Sequence, residues 1–147
     1  MSLFNAIDIS SSGLTAQRLR MDTISENIAN VNTTRTPAGG PYRRKVVLFE
    51  SRENENRFAG VFNEALEQQK IGNGVRVVGI IEDSSPFKMQ YDPNHPDADA
   101  QGYVRMPNVN IVTEMVNMIS ATRAYEANTT SIRASKDIAL KALEIGR

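Results

Sequence analysis

Apolar residues recur at seven-residue spacing at both ends of this 147-residue chain, and the middle has a different pattern. The first region runs to about Val31, and the last runs from about Asn110 to Glu144. On a helix, residues at this spacing form a narrow apolar stripe, which is typical of a coiled-coil seam, whereas a helix on a globular core presents a wider apolar face. The stripe residues are Ile7, Leu14, Met21 and Ile28 with Leu3, Ile24 and Val31 at the start, and Ile111, Met118, Tyr125, Ile132 and Ala139 with Met115 and Leu143 at the end. The pattern predicts two long helices whose seams pair antiparallel with each other or bundle with other chains.

The helix ends carry recognisable signals. Asn110 is a candidate N-cap for the second helix, Glu114 near its first turn suits the helix dipole, and Gly146 is a candidate stop. The run 10–13 (Ser-Ser-Ser-Gly) lowers the intrinsic helicity of the first helix. We therefore expect the first helix to form only when it is packed against a partner.

The middle of the chain reads as a small β-rich unit. Turn residues at 37–41 and 72–74 and a polar loop after Tyr91 separate its elements. The expected elements are strands at Tyr42–Glu50, Val75–Glu82, Phe87–Tyr91 and Tyr103–Met106, and a short helix at Phe58–Gln69. The sequence predicts an α+β fold in which long N- and C-terminal helices pair as a coiled-coil-like bundle around a small β-rich middle domain. The expected domains are 1–34, 35–107 and 108–147.

Charge and composition exclude several classes of function. Lys+Arg and Asp+Glu both number 17, so the chain lacks the positive excess that a nucleic-acid surface needs. It has no cysteine for thiol chemistry and no apolar run near the ~18 residues of a membrane span. No charged head precedes an apolar stretch at the N-terminus, so we expect no cleaved signal peptide. These features predict no nucleic-acid partner and no direct membrane insertion.

The best metal candidate is the segment 92–99, which alternates aspartates with prolines around His95, the only histidine. Its oxygen spacing suits a hard cation, but it fails the EF-hand pattern because Pro96 holds a ligand position and Tyr103 stands in place of the bidentate glutamate. A lone loop histidine without a nucleophile or carboxylate partner is not a catalytic base. We expect a stiff solvated turn, with no metal, no cofactor and no enzymatic activity.

One basic cluster begins the first strand, at Arg43, Arg44 and Lys45. It is either a solvated strand end or a docking surface for an acidic neighbour. The loop aspartates Asp92, Asp97 and Asp99 would complement it if subunits stack. Such exposed pairs set register and specificity more than affinity.

The sequence runs that carry a family resemblance lie at both ends. The run Ser12–Thr33 is similar to the N-terminal signature of the flagellar rod and hook proteins, and Glu114–Asn128 is similar to their C-terminal signature. Matches at Pro41–Lys45, Tyr91–Pro93 and Lys141–Gly146 extend the resemblance to nearly the whole chain. The short middle resembles that of the proximal-rod members.

The resemblance implies a structural subunit of the proximal rod that is exported uncleaved through the flagellar type III apparatus. It would assemble helically in the periplasm with itself and other rod subunits, line the central export channel with its terminal helices, and transmit torque from motor to hook. The residues expected to pack between subunits are Leu14, Met21, Ile24, Ile28, Ile111, Met115, Met118, Tyr125 and Ile132. The alternatives are another proximal-rod subunit type, a cytoplasmic coiled-coil adaptor, which would form a stable dimer, and an enzyme.

Overall fold

A computed structural model describes residues 3–52 and 72–145 of the protein. Its elements follow the predicted order of helix, strands and helix, which confirms the α+β class. The bounds are α1 Leu3–Ala29, β1 Lys45–Ser51, β2 Val75–Glu82, β3 Lys88–Tyr91, β4 Tyr103–Met106 and α2 Ile111–Ile145. The predicted short helix at Phe58–Gln69 and the predicted stop at Gly146 lie outside the described residues. Neither described helix is long and apolar enough to cross a membrane.

α1 has 27 residues and is about 40 Å long. Beyond its end, a tight loop reverses the chain, since the Tyr42 N–H donates to the Thr33 carbonyl at 3.0 Å. Gly39 and Gly40 have φ of 86° and 81°, a conformation that side-chain-bearing residues rarely adopt. The loop therefore returns the chain to the end of α1, where β1 begins.

The strands form two separate two-stranded sheets, β1 with β2 and β3 with β4. β3 and β4 are antiparallel, and the Tyr91 and Tyr103 rings meet edge to face at 5.3 Å. The loop between them is built by aspartates, because Asp99 Oδ1 accepts hydrogen bonds from the backbone N–H groups of Gln101 and Tyr103, both at 2.9 Å. The predicted polar loop is confirmed, and its turns are closed by aspartate carboxylates that accept backbone N–H groups.

α2 has 35 residues and is about 50 Å long. Asn110 caps it as predicted, because its Oδ1 accepts the Val112 N–H at 3.0 Å. Glu114 lies in the first turn, where the helix dipole favours a negative charge.

The described residues divide into two compact units, and each contains parts of both helices. The first comprises 3–18, 49–52, 72–78 and 123–145, and the second comprises 19–48 and 79–122. In the first unit, Ser10 Oγ donates to Ser131 Oγ at 3.2 Å and Arg18 Nη2 donates to Tyr125 Oη at 3.3 Å. In these two contacts the residue number on α2 falls as the residue number on α1 rises, so the two helix segments run antiparallel.

The second unit shows the same direction of pairing. Thr122 Oγ1 lies 3.6 Å from Met21 Sδ, and Asn27 Nδ2 donates to Glu114 Oε2 at 3.0 Å. The contacts give the direction of the helices. Their pairing as a coiled-coil-like bundle stays a prediction, as do the three expected domains.

Small and polar residues, more than the apolar residues spaced by seven, form the buried face of α1. Ser10, Gly13 and Ala16 are buried in the first unit, and a Cβ at Gly13 would lie only 2.9 Å from Asn128 Nδ2. Ser12 Oγ accepts the Val75 N–H at 3.0 Å and donates to the Ile9 carbonyl. The run 10–13, which weakens α1 as an isolated helix, therefore lets α2 and β2 approach it closely.

In the second unit the buried α1 residues are Thr23, Ile24 and Asn27. The apolar core there is small and includes Val104 and Val109, each 1 % exposed. With so few apolar residues enclosed, the contacts of buried polar groups gain weight in holding this unit together.

A buried polar cluster and an exposed helix face

Asn27 is fully buried near the end of α1, and its side-chain amide binds the backbone of Lys45 as a neighbouring strand would. Its Oδ1 accepts the Lys45 N–H at 2.9 Å, and its Nδ2 donates to the Lys45 carbonyl at 2.9 Å. The Tyr42 hydroxyl donates to the same Oδ1 at 3.0 Å, and Nδ2 also donates to Glu114 Oε2. All four hydrogen-bonding positions of the amide are used. The amide fixes the first residue of β1 to α1.

Glu114 is fully buried in the first turn of α2. Arg44 donates to its Oε1 from Nε at 2.9 Å and approaches it with Nη2 at 2.8 Å, while Asn27 occupies Oε2. A carboxylate removed from water is tolerated when it is ion-paired and its remaining lone pairs are hydrogen-bonded, and both conditions hold here.

Asn108 and Asp83 complete this polar cluster, which we define as Asn27, Tyr42, Arg44, Asp83, Asn108 and Glu114. Asn108 Oδ1 accepts the Arg44 N–H at 2.8 Å, and its Nδ2 donates to the Asp83 carbonyl at 3.1 Å. The Asp83 N–H donates to the Arg44 carbonyl at 2.7 Å, and Arg44 Nη1 lies 3.4 Å from Asp83 Oδ2. The backbone of Arg44 is therefore held on both sides, and its side chain spans two carboxylates.

Two members of the cluster have shifted pKa values. Burial, together with the negative charges of Glu26 and Glu114, raises the pKa of Tyr42 to about 12. Hydrogen bonds from the Ser85 hydroxyl and N–H, with the nearby Arg44 guanidinium, lower the pKa of the Asp83 carboxyl. Tyr42 is therefore held as a neutral hydrogen-bond donor and Asp83 as an anion.

The chemistry of the cluster is structural. Its carboxylates, amides and guanidinium are occupied by one another, and no nucleophile stands beside a free base. Within residues 3–52 and 72–145, no group of three or more His, Asp or Glu side chains is placed to hold a metal ion. The cluster joins the end of α1, the start of β1 and the start of α2.

In the first turns of α2, the side of the helix opposite Glu114 is apolar and exposed. Val112, Met115, Val116 and Ile119 are 70, 55, 60 and 59 % exposed and share one helix face, which we call the apolar stripe. Glu114 and Ala121, both fully buried, lie on the other side of the helix. Glu114 is the one charged residue between 111 and 122, so the stripe has no exposed charge within it. A contiguous exposed apolar patch of this kind marks an interaction surface.

The residues predicted to pack between subunits fall into three groups. Ile111 and Met115 are exposed, and Ile24 is buried within the chain. The half-buried ones are Leu14, Met21, Ile28, Met118, Tyr125 and Ile132. Their role between subunits stays a prediction.

Sequence reasoning missed three of the four stripe residues, Val112, Val116 and Ile119. Counting by seven assigned Ile111, Met115 and Met118 to the seam and passed over their neighbours. The spacing of three, four and seven residues from Val112, in a stretch without exposed charge, is the signal that could have found them.

The predicted docking charges lie near partners of their own chain. Arg44 belongs to the polar cluster, Lys45 Nζ pairs with Glu26 Oε1 at 2.7 Å, and the Arg43 guanidinium lies 4.4 Å above the Phe87 ring centroid. Among the acidic residues, Asp97 accepts the Thr34 hydroxyl at 2.8 Å, and Asp92 and Asp99 accept backbone N–H groups of their own loop. Docking between these two sets stays a prediction.

Comparison with known families assigns both ends of the chain. Residues 7–35 match the family model described as flagella basal body rod protein, and residues 100–145 match that of the flagellar basal body rod FlgEFG protein C-terminal region. These segments contain most of α1 and all of α2. Together they indicate the class, the rod proteins of the flagellar basal body.

Full-length relatives narrow the class. The flagellar basal-body rod protein FlgC of Borreliella burgdorferi is 55 % identical over 149 residues, covering 99 % of this chain and 98 % of the relative. The FlgC proteins of Bacillus subtilis and Salmonella typhimurium are 46 and 41 % identical, each over the full length of both chains. The chain belongs to the FlgC family of flagellar basal-body rod proteins. This confirms the resemblance drawn from the sequence, and the protein is a structural component of the basal body and not an enzyme.

Proposed function

We propose that this chain is a subunit of the proximal rod that assembles helically around the central export channel and transmits torque from motor to hook. It reaches the periplasm through the flagellar type III export apparatus without loss of a signal peptide. Its partners are copies of itself and other rod subunits. Membership of the FlgC family supports assembly with rod components, and the exposed side of α2 supplies a surface for it.

The apolar stripe is the observation that carries the proposal. Burying an exposed valine, methionine or isoleucine in an apolar contact contributes about 1.5–3 kcal/mol per side chain. Because the stripe has no exposed charge within it, a neighbouring helix can cover it without desolvating an ion. Glu114 and Ala121 hold the other side of the same turns within the chain, so the stripe has a fixed direction outward from its unit.

The half-buried residues of the predicted seam fit the same scheme. Leu14, Met21 and Ile28 on α1 keep part of their surface exposed and are proposed to complete a coiled-coil-like bundle with neighbouring subunits. The basic cluster and the loop aspartates are proposed to adjust the register of stacked subunits, since each already has a partner within its own chain and contributes little further affinity.

A charge placed in the stripe tests the proposal. Val116→Asp puts a carboxylate in the centre of the proposed contact, where burying it without a partner costs several kcal/mol. In the free chain Val116 is 60 % exposed, so the same carboxylate remains solvated. We expect the urea midpoint of the purified chain to change little, rod assembly to stop, and cells to lose motility.

The matched control is Ser25→Asp, which adds the same charge to an exposed position of α1 outside the stripe. We expect nearly normal motility and normal basal bodies by electron microscopy. If Val116→Asp assembles as well as Ser25→Asp, the stripe is not a subunit contact. A large loss of stability in the purified Val116→Asp chain would show that Val116 belongs to the core of the subunit.

A further inference from the structure

The polar cluster is assembled from residues far apart in the sequence. Asn27 and Glu114 are 87 residues apart, Arg44 and Glu114 are 70 apart, and Arg44 and Asn108 are 64 apart. None of these contacts forms within a single helix or hairpin. The cluster can therefore close only after α2 has reached the strands and the end of α1.

The two sides of the cluster depend on each other. Without Glu114, Asn27 Nδ2 loses one of its two acceptors, and the Arg44 guanidinium keeps Asp83 at 3.4 Å as its carboxylate partner. Without Asn27 and Arg44, the fully buried Glu114 carboxylate keeps a side-chain contact with Asn117 Nδ2 at 3.5 Å. Each side buries unsatisfied polar groups when the other is absent, and that outcome is strongly disfavoured.

The junction between α1 and β1 contains no residue of α2. It consists of the Asn27 amide on the backbone of Lys45 and the Tyr42 hydroxyl on the same amide. Glu114 nevertheless contacts the junction at Asn27, whose Nδ2 donates to its carboxylate. It also accepts from Arg44, the residue directly before Lys45. A single carboxylate from α2 thus contacts α1 at Asn27 and, at Arg44, the residue that leads into β1.

We infer that Glu114 couples the docking of α2 to closure of the junction between α1 and β1, so that the two close together. The device is conformational: the junction stays open until the start of α2 supplies its carboxylate. One consequence rests on the proposed function. In a subunit exported before it folds, the junction cannot close until the residues up to Glu114 are free to dock.

Amide hydrogen exchange on the full-length chain tests this coupling. The reporter is the Lys45 N–H, which donates to Asn27 and does not contact Glu114. In Glu114→Ala we expect exchange at Lys45 to quicken at least tenfold, together with that of the first turn of α2. The matched control is Glu126→Ala on the exposed side of the same helix, where Glu126 pairs with Arg123 at 3.7 Å, and Lys45 should exchange as in the wild type.

The inference would be overturned if the junction at Lys45 and the first turn of α2 opened independently of each other. Independent opening would appear as a Lys45 amide that stays fully protected in Glu114→Ala while the first turn of α2 opens. If Glu114→Ala does not fold, Glu114→Gln replaces it, because the carbonyl oxygen of glutamine can take the place of Oε1, which accepts from Arg44, or of Oε2, which accepts from Asn27, but not of both. Faster amide exchange in Glu114→Gln than in the wild type, at both Lys45 and the first turn of α2, then supports the coupling. Faster exchange at only one of the two contradicts it. These measurements use the unassembled chain, so their failure leaves the proposed rod function standing, and failure of the Val116→Asp test leaves the coupling standing.

Discussion

Asn27→Asp replaces one terminal atom of a fully buried side chain and reverses its hydrogen-bonding character. The amide Nδ2 now donates to the Lys45 carbonyl and to Glu114 Oε2, at 2.9 and 3.0 Å. In the variant, a carboxylate oxygen would face two acceptors at those distances. The substitution therefore removes two donated bonds and places a second negative charge beside Glu114.

The expected destabilisation follows from these contacts. Two like charges about 4 Å apart repel by about 4 kcal/mol at the effective dielectric constant of a protein site. Two acceptors left without donors add about 1–3 kcal/mol each, while the nearby Arg44 guanidinium offsets part of the total. We expect a net loss of about 3–5 kcal/mol, a large share of the about 5–15 kcal/mol that stabilises a typical domain.

Urea denaturation followed by circular dichroism at the helix band measures this loss. With a slope of about 2 kcal/mol per M, the midpoint should fall by about 2 M. The matched control is Asn32→Asp, the same change on an exposed residue just beyond α1, which should stay within about 0.5 kcal/mol of the wild type. Equal midpoints for the two variants would refute the claim that the Asn27 amide holds the cluster together.

Three further predictions concern single groups. Tyr42 should ionise only near pH 12. Because its pKa is raised on folding, its neutral hydroxyl stabilises the fold fully below about pH 10, and this stabilisation is lost as pH rises to about 12; phenolate absorbance with Tyr42→Phe as reference checks this. The pKa of the Asp83 carboxyl is lowered on folding, so its negative charge stabilises the fold above its ordinary pKa, and this stabilisation is lost as pH falls through the lowered value. The difference in urea midpoint between the wild type and Asp83→Asn should therefore be largest near neutral pH and vanish in acid. Ala121→Leu should cost about 1–3 kcal/mol in urea denaturation because Ala121 is fully buried, whereas Ala127→Leu on the exposed side of α2 should be nearly neutral.

The local signals in the sequence were sufficient for the helices and strands found within residues 3–52 and 72–145. The cap at Asn110, the strand Val75–Glu82 and the polar loop after Tyr91 all follow from short-range chemistry that neighbouring residues supply. Antiparallel contact of α1 with α2 was only one of two alternatives, because a seven-residue repeat is compatible with pairing inside the chain and with pairing between chains.

The polar cluster could not be predicted from the sequence. Glu114 was interpreted as a charge on the helix dipole and Arg44 as a docking residue, since nothing near either position identifies a partner 70 residues away. The buried face of α1 was misjudged for a related reason. Ser10, Gly13 and Ala16 allow close approach because of their small size, which an apolar count does not register.

The central claim, that the apolar stripe is covered by a neighbouring subunit in the rod, has a direct test because the chain contains no cysteine. Val116→Cys supplies a single thiol whose reaction with a maleimide can be followed by the mass of this chain, first in the purified protein and then in isolated basal bodies. We predict rapid modification of the purified chain and strong protection in the assembled rod. Equal modification in both would contradict the account.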